Sequence, residues 1–179
     1  MLNNPKYKIL IDIGSSIGCI SDYFLRQNYL RFAYCFEPRK SSVLFSVKHL
    51  NCPVFPFALS NYVGKAIIYE KSRKYDGKAS MDLKFKQFSQ IAVTRLDEFD
   101  FKKVDLIKYD VEGHEFEAIS GSLETIKKHK PDIIFENNTG DIEGIKRLLP
   151  DYRISILGNV SGHTGLQRNY LAEVKNKNV

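Results

Sequence analysis

Short apolar runs at residues 8–13, 31–36, 54–58, 105–109 and 132–135 alternate along the chain with segments at 18–27, 40–51 and 115–130 in which apolar residues recur at helical spacing. The short runs read as strands and the longer segments as helices. Such alternation predicts an α/β fold, with helices packed on a largely parallel sheet and joined to it by right-handed crossovers. Between residues 58 and 105 the rhythm changes: 66–69 and 90–93 read as strands around a basic stretch that contains Gly77, an excursion over about residues 70–90. After Glu136 follow a short helix near 141–149, a strand at 152–157, a Gly/Ser-rich loop at 158–165 and a last strand near 169–174. Two terminal strands joined by a short loop predict an antiparallel pair at one edge of the sheet.

At 179 residues the chain fits one domain, expected over residues 1–179, and a domain of that size buries roughly 70% of its unfolded surface. No uncharged apolar run approaches the ~20 residues of a membrane span, and the first residues do not resemble a secretory signal, so a cytoplasmic protein with no membrane span is expected. Cys19, Cys35 and Cys52 are odd in number and lack CxxC spacing, which supports neither a disulfide framework nor a zinc site. They are expected to be buried small hydrophobes. The net charge of +6 draws much of its excess from Lys71, Arg73, Lys74, Lys78, Lys84 and Lys86. Such a field favours anionic partners, although a solvated face is the commoner origin of such a run.

The first strand runs into Asp12-x-Gly14-Ser15-Ser16-x-Gly18 and then a helix, which sets backbone N–H groups and a helix N-terminus at the mouth of the sheet. A dinucleotide fingerprint needs glycine where this chain has Ser16, so that the backbone can approach a pyrophosphate. Glu37 closes the second strand about 20 residues on, where a carboxylate accepts ribose hydroxyls. Ribose recognition without a pyrophosphate cradle points to S-adenosylmethionine, with Asp12 suited to its ammonium group directly or through water. Ala58, Leu59 and Ser60 end the third strand and are expected at the adenine edge, through backbone and the Ser60 hydroxyl.

The second chemical segment is Asp105-Leu106-Ile107-Lys108-Tyr109-Asp110-Val111-Glu112-Gly113-His114-Glu115. Ligands bind beyond the carboxyl ends of strands in such sheets, so Asp110, Glu112 and His114 are placed at the reaction edge together with Glu136, which ends the fifth strand. Methyl transfer needs alignment of donor and acceptor, and a base helps a neutral hydroxyl shed its proton. Asp110 or Glu112 is expected to touch acceptor or cofactor, His114 to be the leading base and Glu136 to orient the acceptor. Glu115 suits a helix N-terminus, and Lys108 is expected to pair with a carboxylate within the sheet. His163 is a weaker base candidate, while His49 and His129 read as helix-surface residues. A hard cation needs several converging oxygens, and no metal site is predicted.

These segments resemble the FkbM-type S-adenosylmethionine-dependent methyltransferases. The likeness is carried by the glycine motif, Phe36-Glu37-Pro38, Ala58-Leu59-Ser60 with Gly64, Arg95-Leu96-Asp97, and above all Asp105-x-x-Lys108-x-Asp110-Val111-Glu112-Gly113-x-Glu115. It implies a seven-stranded Rossmann-like sheet, mostly parallel with an antiparallel edge strand and helices on both faces. It also implies methyl transfer to a hydroxyl of a sugar, glycoconjugate or natural-product acceptor. The family usually carries Ala-Asn in place of Ser15-Ser16, and members often have a lobe before the first strand, so an acceptor pocket that is more open, or completed by another chain, is expected. Two rival readings are ribose methylation of RNA, suggested by the net charge and by Tyr75, Phe85 and Phe88 among the lysines, and a non-catalytic module that binds a nucleotide or a partner protein. Intact carboxylates in the second segment argue against the last.

Overall fold

The computed structural model describes residues 7–71, 86–137, 142–162 and 165–175. Its first half contains β1 (Ile9–Ile13), α1 (Cys19–Arg26), β2 (Phe32–Phe36), α2 (Lys40–His49), β3 (Val54–Phe55), β4 (Phe57–Leu59), β5 (Gly64–Lys71) and β6 (Lys86–Thr94). The second half adds β7 (Leu106–Tyr109), α3 (Glu115–Ser120), α4 (Leu123–His129), β8 (Asp132–Glu136), α5 (Ile142–Leu148), β9 (Tyr152–Gly162) and β10 (Gly165–Val174). Seven strands form one sheet in the order β3-β2-β1-β7-β8-β10-β9. All neighbours are parallel except that β10 runs antiparallel to both β8 and β9. The strand order reverses beside β1, which opens a crevice at the carboxyl ends of β1, β2 and β7.

The two faces of this sheet differ. On one, Ile11, Ile13, Ile107, Tyr109, Ile133 and Phe135 pack with Ala118, Ile119, Ile126 and Ile145 of α3, α4 and α5 in a large core. On the other, a thin cluster of Leu10, Leu30, Ala33 and Leu106 meets Leu25 of α1. The helices on this thin side bury Ser21, Ser42 and Ser46, whereas Ile20, Tyr23, Leu44 and Val47 face outward. The sheet explains the choice of residue: Asp12 and Cys35 both reach the Ser21 hydroxyl here, so small hydroxylated side chains fit where leucine would leave polar groups unpaired.

Three elements depart from their expected form. The strand expected at 54–58 is cut at Pro56, which has no N–H to donate to a ladder. β3 stays with β2, and β4 leaves to pair with β6 in a second sheet of order β4-β6-β5. The helix expected at 115–130 is broken at Gly121-Ser122 into α3 and α4. The Gly/Ser-rich stretch is mostly strand, because β9 continues to Gly162 and β10 starts at Gly165 with a register shift at Asn169/Tyr170. Cross-strand pairing outweighs composition there.

Within the excursion, the whole of β5 pairs antiparallel with residues 86–93 of β6, and Tyr69 faces Phe88 across them. Arg73, Lys74, Tyr75, Lys78, Lys84 and Phe85 lie outside the described residues, as does His163. Of the cysteines only Cys35 is buried, and Cys19 is exposed. The Cys35 and Cys52 sulfurs lie 3.7 Å apart. The hydrogen bond between them, together with burial, raises the Cys35 thiol, while the same bond lowers that of Cys52 against the effect of its burial.

Gly121 follows the end of α3. Its φ of −82° is ordinary, but a Cβ on it would lie 1.8 Å from the Ser60 carbonyl oxygen. Gly121→Ala therefore has to push β4's exit loop away from α3, at a cost of about 1–3 kcal/mol. Urea denaturation should show a lower midpoint with an unchanged slope, and an unaltered midpoint would mean that this contact constrains nothing.

Candidate active site

The loop after β1 turns through the left-handed region at Gly14, Ser16 and Gly18, with φ of 75°, 52° and 78°. Glycine is required at the first: a Cβ on Gly14 would lie 1.9 Å from the Asp110 carbonyl oxygen, so only glycine lets the loops after β1 and β7 touch. The amides of Gly14 and Ser15 donate to the Phe36 carbonyl at 2.9 and 3.1 Å, tying this loop to the end of β2. Glu37 follows at once, is 2% exposed, and accepts the Ser16 N–H at 2.9 Å. Arg39 grips the same carboxylate through its backbone N–H at 2.9 Å and its Nε at 2.8 Å, and its Nη2 reaches the Ser16 hydroxyl at 3.1 Å. The buried Ser15 hydroxyl has no hydrogen-bond partner among the described residues.

Behind this loop a lysine bridges two carboxylates. Asp12 and Lys108 are register partners on β1 and β7, and Lys108 Nζ lies 3.2 Å from Asp12 and 3.1 Å from Asp110. Asp12 also accepts the Ser21 hydroxyl at 2.7 Å. Burial alone would lower the Lys108 pKa, but the two carboxylates outweigh it and raise the group above its ordinary value. Asp12 is thus enclosed by Ser21 and Lys108, and of the two carboxylates that Lys108 bridges the one that reaches solvent is Asp110, whose side chain is 40% exposed.

The turn after β7 carries positive φ at Glu112 (56°) and Gly113 (95°), which exposes Glu112 and folds the chain over Glu115. The buried Glu115 carboxylate accepts the N–H groups of Val111 and Gly113 at 3.1 and 3.2 Å. Burial raises its pKa in spite of these bonds. His114 caps α3, with Nε2 2.9 Å from the Ser60 hydroxyl and Nδ1 3.4 Å from a Glu117 oxygen. Ser60 is fixed in turn by its N–H, which donates to the Thr94 carbonyl at 2.9 Å.

Leu59 is buried in the large core, which leaves its backbone, with that of the half-buried Ala58, for any ligand. Glu136 is buried at the end of β8, on the same sheet face as Lys108 by register. His49 lies against the Phe45 ring on α2; His129, on α4, has its pKa lowered by burial. The expected residues therefore gather as Gly14, Ser15, Ser16, Gly18 and Glu37 around one loop, Asp12 with Asp110 through Lys108, and Ser60 with His114. Arg39, Ser21 and Glu117 complete these groups without having been singled out in the sequence. Glu117 could have been found from its i+3 spacing to His114.

A family model described as the methyltransferase FkbM domain matches residues 12–156. Among curated proteins none matches. Of solved structures, the methyltransferase FkbM from Methylobacillus flagellatus KT is similar with a TM-score of 0.67 at 18% identity, over 96% of this chain and 45% of that one. The Bacillus subtilis m1A22 tRNA methyltransferase TrmK gives 0.58 at 14% identity, over 96% and 62%. A putative tRNA (m1A22) methyltransferase of Streptococcus pneumoniae, in complex with S-adenosyl-L-methionine, gives 0.61 at 12% identity, over 98% and 70%. This chain spans less than half the length of the FkbM structure it matches.

Substitutions at Lys108, Asp12 and Glu115 test the electrostatics. Removing one member of a buried ion pair strands the other, so Lys108→Met should cost about 3–5 kcal/mol in urea denaturation. Adding Asp12→Asn should restore part of that loss, and a stable single variant would show that Asp12 is not balanced by Lys108. Glu115→Gln keeps the acceptor oxygen and removes a buried charge, so its thermal midpoint should match or exceed the wild type's, whereas Glu115→Ala should lose about 1–3 kcal/mol.

Proposed function

Because this chain belongs to the FkbM methyltransferase domain family, we propose that it is an S-adenosylmethionine-dependent O-methyltransferase that acts on a hydroxyl of a sugar, glycoconjugate or natural-product acceptor. The observation that carries the cofactor reading is Glu37, buried at the end of β2 yet bonded to the Ser16 amide of the glycine loop. A carboxylate in that place can accept ribose hydroxyls. The orphaned Ser15 hydroxyl offers a further polar contact, and the loop lacks the glycine that a pyrophosphate requires. The donor set therefore fits S-adenosylmethionine, with Gly14, Ser15, Ser16, Gly18, Glu37 and the Ala58–Ser60 backbone as its holders.

When bound, the sulfonium cofactor supplies an activated methyl group. The chain's own part is positioning and proton handling. Arg39 holds Glu37 from one side, so ribose binding has to share or displace its grip. Asp110 and Glu112 stand beyond the end of β7, Asp110 open to solvent and braced by Lys108, where they can orient acceptor or cofactor. Glu136 orients the acceptor from the neighbouring strand. His114 is the group we assign to take the acceptor's proton, and its Nε2 has to leave the Ser60 hydroxyl to do so.

The acceptor class rests on family resemblance. The tRNA methyltransferases among the structural neighbours share the fold at 12–14% identity, and two of the three aromatics behind an RNA reading lie outside the described residues. We place the enzyme in the cytoplasm. No helix among the described residues is long and apolar enough to cross a membrane.

Calorimetry should show S-adenosylmethionine binding that Glu37→Ala weakens by about 1–3 kcal/mol, the loss from unpairing hydroxyls. Affinity equal to wild type would remove Glu37 from the ribose. Transfer of labelled methyl to hydroxylated sugars supports the acceptor assignment, while label entering tRNA alone would replace it.

A further inference from the structure

We propose that the Arg39 guanidinium sits where the ribose of S-adenosylmethionine binds, as an intramolecular competitor that the cofactor has to displace from Glu37. This rests on the reading of Glu37 as the ribose acid, and it adds a residue that sets how tightly the site takes its cofactor. An ionised carboxylate offers about four acceptor positions, two on each oxygen. On Glu37 they are filled. Oε1 accepts the Arg39 backbone N–H at 2.9 Å and the Arg39 Nε–H at 2.8 Å, and Oε2 accepts the Ser16 N–H at 2.9 Å and an Arg39 Nη2–H at 3.4 Å. Each oxygen thus takes one backbone donor and one guanidinium donor, on a residue that is 2% exposed.

The two kinds of donor differ in what they can do. The amides belong to the chain itself, at Ser16 in its left-handed turn and at Arg39 in the extended residue before α2. They aim the carboxylate wherever the Arg39 side chain lies. The guanidinium is the movable pair, because its side chain is 39% exposed and can swing out into water. Its Nε and Nη2 form a fork of N–H donors matched to a carboxylate, and a ribose presents its two hydroxyls as a fork of O–H donors. The exchange is therefore one for one: each oxygen gives up a guanidinium N–H, accepts a hydroxyl and keeps its amide. Nη2 also reaches the Ser16 hydroxyl at 3.1 Å, so the same swing frees an acceptor in the glycine loop.

A competitor of this kind reduces apparent affinity by the fraction of molecules in which the site is clear, and Arg39 held on Glu37 in about four molecules of five raises the cofactor's Kd about fivefold. No contact of the bound state is lost. A guanidinium that instead stayed in place and supported the bound ligand would give the opposite sign on removal.

The test is calorimetry on the full chain with S-adenosylhomocysteine, which carries the same ribose without the sulfonium charge, so that losing a cation from the site does not by itself favour the ligand. Arg39→Ala should lower its Kd about fivefold or more, and the same substitution in a Glu37→Ala background should give no gain. An unchanged or raised Kd in folded Arg39→Ala, or a gain that persists without Glu37, overturns the proposal. Should Arg39→Ala fail to fold, the wild-type chain carries the test through the nitrogen-15 signal of the Arg39 Nε–H, assigned by its loss in Arg39→Lys. That signal should stand apart from those of exposed arginines in the ligand-free chain and join them when S-adenosylhomocysteine saturates the site; a signal that does not move overturns the proposal. Wild type and Arg39→Ala that both bind no S-adenosylhomocysteine remove the cofactor reading itself, whereas binding that Glu37→Ala weakens and Arg39→Ala does not strengthen removes only the competitor.

Discussion

The ion pair between Asp12 and Lys108 is the interaction on which the surrounding structure depends. Burying either charge alone would be prohibitive, and the parallel register of β1 and β7 sets them side by side. Because both strands run into the loops that carry the candidate chemistry, the pair that fixes the sheet also fixes the spacing of those loops. It explains the thin face too, since α1 answers Asp12 with the Ser21 hydroxyl rather than with an apolar side chain. Lys108 reaches on to Asp110 and so extends the charge order of the interior to the rim of the cleft.

Close backbone approach is the second constraint. Gly14 admits the Asp110 carbonyl and Gly121 admits that of Ser60, and in each case two segments distant in sequence are joined at the cleft. Ser16 and Glu112 hold left-handed backbone without being glycine, a conformation disfavoured for residues with a Cβ. Both sit in the candidate loops, where stored strain of this kind tends to collect. The Ser16 turn points its amide at Glu37, and the Glu112 turn wraps the backbone over Glu115.

Much of this was legible in the sequence because parallel strands and their crossover helices leave periodic apolar patterns. Pro56 was also visible, but the run around it reads as a single strand until a second partner, β6, exists to receive Phe57. The Gly/Ser-rich stretch misleads in the opposite sense, since its strand character is lent by the partner strand. In the site, linear spacing located the glycine loop, Glu37 and the Asp110–Glu115 turn. It could not pair Ser60 with His114, which are 54 residues apart, nor find Ser21, whose role exists only because α1 lies over Asp12. Arg39 and Glu117 are local, and their signals were present but no stronger than those of ordinary surface charges.

The placement of β1 between β2 and β7 in the sheet has a consequence for the nascent chain. Asp12 and its counter-charge are 96 residues apart, which at about 5–20 residues per second separates their synthesis by roughly 5–20 s. During that interval β1, β2 and β3 can associate, but β1 has an open edge and a carboxylate with no cation to meet it. An unpaired strand edge is a template for association with other chains, so the half-made sheet is exposed until β7 leaves the ribosome. The same charge that deters early burial of β1 also delays its mispairing, and the arrival of Lys108 releases both restraints at once.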